Sequence, residues 1–246
     1  MPSDAPIPQK PPEPKPSRRD DIVEALMRLA AIRDWDKIEV TDIAQAAGVS
    51  LADFRDAFPS KGAVLGAFSR MIDRRVLDGT TSDLAGEPAR ERVFDVFMRR
   101  FDALEPYKPA LRRIAPALRG DPGAMAALNQ VALNSQRFML AAAGIATEGS
   151  LSALKLQGSV LVFGRTMKTW LDDDDPTLAR TMARLDRELK RGERILERAD
   201  DVRRLAAPLR AVGRAFLNAR REGRSRTRDG STARTDGEAA DPAAAI

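Results

Sequence analysis

The 246-residue sequence contains no cysteine and no histidine, and aromatic residues make up only 5% of it. These absences exclude a disulfide framework, a thiol nucleophile, a catalytic triad that uses histidine, and a zinc site built from Cys and His. Because aromatic residues are scarce, aliphatic side chains and alanine must supply most of the core. The chain is long enough to bury a sizeable core.

Signals for membrane insertion and export are also lacking. No apolar run approaches the ~18–20 residues needed to span a bilayer, and Met1 to Ser17 lack the apolar segment of a secretory signal. We therefore expect a soluble, cytoplasmic protein. The sequence has no glycine-rich phosphate loop with its lysine, and no carboxylate pair that can be assigned to a cleft. We expect neither enzymatic activity nor a cofactor.

Both ends of the chain have compositions typical of disorder. Seven prolines precede Ser17, and proline can neither continue a helix nor donate to a sheet. Residues 222–246 are mostly Gly, Ser, Thr, Arg, Asp and Ala, which leaves almost nothing to bury. We predict a disordered Pro-rich tail over residues 1–17 and a second disordered tail over residues 222–246.

Between these ends, apolar residues recur at a spacing near 3.6, which is typical of amphipathic helices. The stripes are Ile22, Leu26, Leu29 and Ala30; Val93, Val96, Phe97, Phe101 and Leu104; Leu178, Met182, Leu185 and Leu189; and Val202, Leu205, Leu209, Val212 and Phe216. Convincing β-alternation is absent. We predict an all-α bundle of nine or ten helices, with a small domain over residues 18–80 and a larger helical body over residues 81–221.

One short stretch of the small domain has the features of a helix-turn-helix. Thr41 is a favourable N-cap for a short helix, and Gly48 supplies the positive φ of a sharp turn. Ser50 caps the next helix, with Asp53 at the capping-box position. Two amphipathic helices joined in this way indicate a helix-turn-helix whose recognition helix is Leu51 to Phe58. An ordinary helical hairpin is the alternative interpretation.

These residues resemble the TetR family of transcriptional regulators. The resemblance rests on the helix after Arg18, on Thr41-Asp42-Ile43-Ala44, on Ala47-Gly48-Val49-Ser50, and on Phe58-Pro59-Ser60-Lys61 followed by Leu65. It implies a TetR-like helical bundle, with an N-terminal DNA-binding domain and a C-terminal domain that binds a ligand and dimerises. The expected partners are a second copy of the chain and a double-stranded DNA operator with two half-sites.

The resemblance also implies which residues contact DNA. The predicted contacts to phosphates are Thr41, Ser50, Arg55 and Lys61, and the predicted contacts to base edges are Leu51, Ala52 and Asp56. Arg18 and Arg19 lie at the end of a flexible arm, where they would add phosphate or minor-groove contacts. The recognition helix departs from the family pattern, since Asp53 and Arg55 replace its phosphate-contacting threonine and tyrosine.

The charge of the small domain is unusual for a DNA-binding domain. The whole chain carries +5, but residues 17–79 contain ten cations and eleven anions, and the positive excess lies between Arg180 and Arg228. A carboxylate that faces the duplex opposes the electrostatic attraction of phosphates. Asp56 can instead accept a hydrogen bond from a cytosine amino group, and Asp53 can be used in the helix cap.

The larger body offers an apolar set that would either line a ligand cavity or form the core. The predicted pocket residues are Phe94, Phe97, Met98, Phe101, Leu133, Phe138, Met139, Val160, Phe163, Met167 and Trp170. A cavity between bundle helices is a usual place for a ligand. Because few polar residues fall on the inward stripes, we predict a small apolar ligand that controls a DNA-binding repressor.

A second resemblance gives the alternative function. The run from Thr169 to Asp175, followed by Thr181 and Leu185-Asp186, is similar to the C-terminal signature of the ubiquinone-biosynthesis accessory family. The resemblance implies a lipid-binding protein that has a TetR-like fold and does not bind DNA. The stripe over residues 202–217, with arginines around it, would then lie on a membrane surface as a peripheral contact. Packing against the body is the competing interpretation of that stripe.

The acidic run Asp172 to Asp175 raises the question of a divalent cation. Four consecutive carboxylates point around a helix instead of converging on one point, and no second cluster complements them. We therefore predict a solvated helix end and no metal site.

Overall fold

The structure is a computed structural model that describes residues 18–80, 86–149 and 151–201. These residues are helical and contain no strand, which confirms the predicted all-α fold. The predicted tails, the stripe over residues 202–217 and most of the basic C-terminal region lie outside the described residues.

Eight α-helices precede residue 172, and a ninth helical stretch follows them. They are α1 (Arg18–Ile32), α2 (Val40–Ala47), α3 (Leu51–Ala57), α4 (Lys61–Asp78), α5 (Ala89–Leu104), α6 (Lys108–Arg119), α7 (Pro122–Ala142), α8 (Ser152–Leu171) and α9 (179–201). Short 3-10 turns at Trp35–Lys37 and Glu105–Tyr107 separate α1 from α2 and α5 from α6.

The described residues up to Glu193 belong to one compact unit, and residues 194–201, which are helical, belong to a second. The boundary predicted near Thr80 falls inside the first unit, where α4 ends. Helix α1 packs on α6, and α4 packs on both α5 and α7. The helix-turn-helix and the helical body are therefore joined by direct helix packing.

The predicted turn between α2 and α3 is present. Gly48 adopts φ +67° and ψ +31°, and the next N–H, from Val49, donates to the carbonyl of Ala44 at 3.0 Å. Glycine reaches this left-handed conformation without the steric cost that a Cβ carries. Ser50 caps α3 as predicted, because its Oγ accepts from the N–H of Asp53 at 3.0 Å.

The cap of α2 differs from the prediction. The N-cap is Glu39, whose N–H donates to the carboxylate of Asp42 at 2.9 Å, and Thr41 lies one position inside the helix with its side chain exposed. The pKa of Asp42 is lowered, first by this backbone hydrogen bond and then by Arg33. The helix therefore begins one residue before Thr41, and the Asp42 carboxylate satisfies the N–H of the N-cap residue.

The apolar stripes that belong to described helices point inward. On α5 all five predicted residues are buried, and on α1 Ile22, Leu26 and Ala30 are buried while Leu29 is half-buried. Of the predicted stripe on α9, Leu185 is fully buried, Leu189 is half-buried and Met182 is exposed. The core thus runs from the helix-turn-helix into the body, with α1 in contact with α2, α4 and α6.

Candidate nucleic-acid interface and helical body

Helix α3 turns one side to the core and the other to solvent. Its inner residue Phe54 is buried, and the Phe54 ring centroid lies 6.3 Å from that of Phe58, the buried C-cap. The outward side carries the predicted base-contacting residues together with one arginine: Leu51, Ala52, Arg55 and Asp56. Leu51 is 52% exposed, which is a large apolar exposure for the first position of a helix.

Asp53 is neutralised within the protein. Its carboxylate accepts from the Ser50 hydroxyl at 2.8 Å and pairs with the Arg18 guanidinium. These hydrogen bonds from Ser50, together with the charge of Arg18, hold the pKa of Asp53 below its usual value. The departure from the family pattern at this position is therefore a helix cap with its own counter-ion.

Arg18 and Arg19 do not extend as a flexible arm. Both lie in the first turn of α1, and the guanidinium of Arg19 is 4.3 Å from the centroid of the Phe58 ring. The two arginines thus pack against the start and the end of α3. Both side chains remain exposed beside the recognition helix. The residues that would form the arm lie before the described part of the chain, so the predicted contacts of Arg18 and Arg19 with phosphate or the minor groove stay a prediction.

Lys61 is engaged by the protein itself. Its Nζ donates to the carbonyls of Trp35 and Ile38 at 2.6 and 2.9 Å, and lies 4.2 Å from the Trp35 ring centroid. Burial lowers the pKa of this ammonium. The structure therefore places Lys61 as a tie between α4 and the 3-10 turn after α1, and its predicted contact with phosphate stays a prediction.

Arg55 differs from the other cations around the recognition helix. Arg28 donates to the carbonyl of Ala46, and Arg33 donates to the carbonyl of Lys37 and pairs with Asp42. Within the described residues Arg55 is exposed and makes no hydrogen bond or ion pair. Its five donors are therefore available to an external acceptor.

The centre of the predicted pocket is filled by aromatic rings in direct contact. The centroid of Phe163 on α8 lies 5.3 Å from that of Phe97 and 4.8 Å from that of Phe101, both on α5. Phe101 in turn lies 5.5 Å from Trp170. Four of the predicted pocket residues thus pack on one another as a core cluster, which is the alternative that the sequence left open.

The remaining predicted pocket residues differ in how far they are exposed to solvent, from fully buried to exposed. Met139 is fully buried, and the half-buried ones are Phe94, Met98, Leu133, Val160 and Met167. Phe138 is 52% exposed, since it lies on the opposite side of α7 from Met139 and Leu140. It does not line the interior of this chain, which corrects its assignment to the pocket.

A buried polar cluster in the body was not predicted. Asp73 on α4, Arg100 on α5 and Ser135 on α7 are all buried, and the Ser135 hydroxyl donates to Asp73 Oδ1 at 2.8 Å. The signal was present in the sequence, because Arg100 falls on the same helical stripe as Phe97 and Phe101. Arg100 is therefore a charged residue on an inward stripe that was expected to carry few polar groups.

The acidic run after α8 is partly internal. Asp173 is only 1% exposed, and its Oδ2 accepts from the N–H and hydroxyl of Thr181 at 2.9 and 2.7 Å. Burial raises the pKa of Asp173, but these hydrogen bonds outweigh it and the net shift is downward. Lys108 donates to the Asp173 carbonyl at 2.7 Å. Asp173 thus anchors the turn between α8 and α9, and only its neighbours form a solvated end.

Solved structures share this arrangement. A TetR transcriptional regulator from Nitrosomonas europaea is 23% identical, with a TM-score of 0.57, and the match covers 71% of this chain and 97% of that chain. A second, from Rhodococcus sp. RHA1, is 20% identical, with a TM-score of 0.52 over 71% of this chain and 94% of that chain. This chain has the TetR fold.

Below 25% identity, the likeness to those two regulators is one of fold. No family model matches the chain, and no curated protein has a significantly similar sequence. Over the described part of this TetR-fold chain, no helix is long and apolar enough to cross a membrane. Over the same residues, no three acidic side chains are grouped so that they would hold a metal ion.

Proposed function

We propose that the chain is a DNA-binding transcriptional regulator, a repressor, that reads its operator with α3. The observation that carries the proposal is the two-sided character of this helix. Phe54 and Phe58 hold it to the core, while Leu51, Arg55 and Asp56 project to solvent. A helix anchored in this way can enter the major groove and bring its outward side chains to base edges.

Each exposed side chain suits one part of a duplex. Arg55 has free donors for a phosphate oxygen, and Thr41 at the start of α2 has an exposed hydroxyl for a second phosphate. Leu51 can pack on a thymine methyl group, and Asp56 can accept from a cytosine amino group. In this proposal Arg18 leaves Asp53 for a phosphate only when DNA is bound.

Operator recognition by this fold requires two copies. A homodimer would place two α3 helices in successive major grooves, about 34–36 Å apart. Leu161 on α8 and Met182 on α9 are exposed apolar residues of the body, and a second copy would remove them from water. The ligand would act by favouring one spacing of the two reading helices over another.

Helix α4 is suited to carry that change. It follows α3 after a short turn, begins at the Ser60 cap and continues to Asp78, where it packs on α5 and α7 of the body. A shift of the body helices would therefore move the start of α4 and with it α3. In this proposal α4 is the lever between the ligand and the DNA.

The test is a gel-shift titration of the full chain on the upstream region of its own gene, at several salt concentrations. We expect Arg55→Ala to weaken binding and to reduce the salt slope by about 0.9 for each phosphate that the variant no longer neutralises. Arg119→Ala is the matched control, because this arginine is also exposed but lies at the end of α6.

An unchanged affinity in Arg55→Ala would show that α3 does not dock as proposed. Absence of any duplex affinity, together with binding to anionic lipid vesicles, would contradict the regulator function. That result would favour the lipid-binding accessory protein, which is the alternative from the second resemblance.

A further inference from the structure

Arg100 is a buried cation on which four helices of the body converge. It belongs to α5 and is 6% exposed, and its Nη1 donates to the carboxylate of Asp73 on α4. Its Nη2 donates to Ser69 at 3.3 Å, and Ser135 from α7 donates to the same Asp73 oxygen. The guanidinium carbon lies 5.2 Å from the ring centroid of Phe163 on α8.

One edge of this guanidinium has no acceptor. The Nε atom of Arg100 is buried and makes no hydrogen bond, although an unpaired buried donor costs free energy. Arginine presents its donors as a planar fork that matches the two oxygens of a carboxylate. The unused Nε is therefore a place where one more acceptor oxygen would be favourable.

Packing alone does not require a charge at this position. Replacing a buried ion pair with apolar residues of similar volume is often neutral or stabilising, and the Phe163 ring beside the guanidinium is in contact with Phe97 and Phe101. The unpaired Nε–H of Arg100 can donate to an acidic group, and the aromatic rings beside it can contact an apolar group. The site is therefore complementary to a molecule with an acidic end and an apolar body.

We propose that Arg100 is the anchor for the carboxylate of the effector, which is an acidic molecule with an apolar or aromatic body. The carboxylate binds the guanidinium at its Nε edge, and the apolar part lies against Phe97 and Phe163. This inference rests on the proposed function, because it names the class of ligand that the regulator senses. It replaces the neutral apolar ligand expected from the sequence.

The position of Asp73 connects this site to the lever. A ligand carboxylate at the Nε edge shares the guanidinium with Asp73, and two buried carboxylates on one cation leave an unfavourable net negative charge. A movement of α4 that brings Asp73 to water relieves this cost. Since α4 follows α3, the same movement changes the spacing of the reading helices, and the acid lowers operator affinity.

The first experiment compares acids with their uncharged amides. Isothermal titration of the full chain without DNA would use 2-naphthoate against 2-naphthamide, and octanoate against octanamide. We expect at least one acid to bind about tenfold more tightly than its amide, because only the acid forms a charge-assisted pair. If neither acid is preferred over its amide, the proposal is overturned.

The second experiment removes both charges together, so that no buried ion is left unpaired. Asp73→Asn with Arg100→Gln should keep the fold by circular dichroism and abolish the preference for the acid. The control is Asp95→Asn with Arg99→Gln, which removes a neighbouring, half-buried ion pair of α5 and should leave the preference unchanged. A preserved preference in the buried double variant would overturn the proposal.

Operator binding distinguishes this inference from the function on which it rests. The acid should lower the operator affinity of the wild-type chain about tenfold, within the usual range of allosteric coupling, and should not affect the Asp73→Asn, Arg100→Gln variant. A chain that prefers acids without binding any duplex would contradict the proposed function alone. A chain that binds its operator without preferring acids would contradict only the anchor role of Arg100.

Discussion

At the scale of single residues, the surface of α3 derives its charge from very few side chains. Asp53 is paired with Arg18, and Lys61 is held by two carbonyls, so neither presents a free charge to a duplex. Arg55 and Asp56 remain as adjacent, exposed and opposite charges. In the proposed complex, these are the two charges of α3 that meet the duplex without first breaking a contact within the protein.

Asp56 should reduce general affinity for DNA while selecting for cytosine. We expect Asp56→Asn to raise affinity for unrelated duplexes, because a carboxylate close to phosphates is removed. If Asp56 accepts from a cytosine amino group, the same variant should lose about 1–3 kcal/mol of discrimination at one base pair. Competition titrations with single-base operator variants measure both quantities. An unchanged preference at every position would rule out base reading by Asp56.

Lys61 should act on stability more than on DNA binding. We expect Lys61→Met to lower the free energy of unfolding by about 1.5–3 kcal/mol, because hydrogen bonds from a charged group to the carbonyls of Trp35 and Ile38 are removed. Urea unfolding measures the effect. Lys37→Met is the control, since its ion pair with Asp34 is exposed and should contribute little. A reduced salt slope of DNA binding with unchanged stability would instead support a phosphate contact.

At the scale of helices, the turn between α2 and α3 depends on one backbone conformation. Gly48 has φ +67°, and an added Cβ would meet no atom within 4 Å, so any cost of Gly48→Ala is conformational. We expect a decrease of about 1–2 kcal/mol in stability. Gly62→Ala within α4 is the control, and it should be neutral or stabilising by up to about 1 kcal/mol. Equal effects of the two substitutions would contradict this assignment.

The parts of the helix-turn-helix that could be predicted are those set by neighbours in sequence. The Gly48 turn, the Ser50 cap and the outward side of α3 follow from residues within one or two turns of each other. The partners of Lys61 could not be predicted, since they are backbone carbonyls 23 and 26 residues away. The cap of α2 was misassigned because the helix begins at Val40, so the N-cap is Glu39 and Asp42 accepts its N–H.

In the body, the helices were predictable and their mutual contacts were not. The stripe on α5 identified which side of the helix is buried. It could not show that the phenylalanines of this side contact Phe163 of α8, which lies more than 60 residues later in the chain. Periodicity also treats every charged residue as outward, which hid Arg100. The position of Arg100 on the stripe of Phe97 and Phe101 was a signal of burial, but its partner Asp73 on α4 is brought to it only by tertiary packing.

At the scale of the whole molecule, electrostatic pairing also sets the response to acid. The aspartates with a lowered pKa are Asp34, Asp42, Asp53, Asp173 and Asp174. Asp102 has a raised pKa, caused first by burial and then by nearby Glu105 and Asp95. The five aspartates with a lowered pKa take part in helix caps and ion pairs, in the helix-turn-helix and at the end of α8. Protonation of these carboxylates therefore weakens both regions.

The sign of the pH dependence follows from these shifts. An aspartate whose pKa is lower in the folded chain contributes stability above its unfolded value, near 3.8, and loses it as the pH falls through the folded value. The chain contains no histidine, so no side chain with an ordinary pKa titrates between pH 5 and 7. We expect the urea midpoint to stay constant from pH 7 to 5 and to fall below about pH 4.

Asp53→Asn isolates one contribution to this acid response. The asparagine can still accept from Ser50, but it carries no charge to pair with Arg18 and has no proton to take up. The variant should therefore be less stable than the wild type at pH 7, and the difference should shrink as the pH falls below 4. Urea titrations at pH 7, 5, 4 and 3 measure both curves. If the difference in stability between the two proteins is constant across this range, the Asp53 carboxylate has the same pKa in the folded and unfolded chain. Its cap and its pair with Arg18 then add no stability through charge.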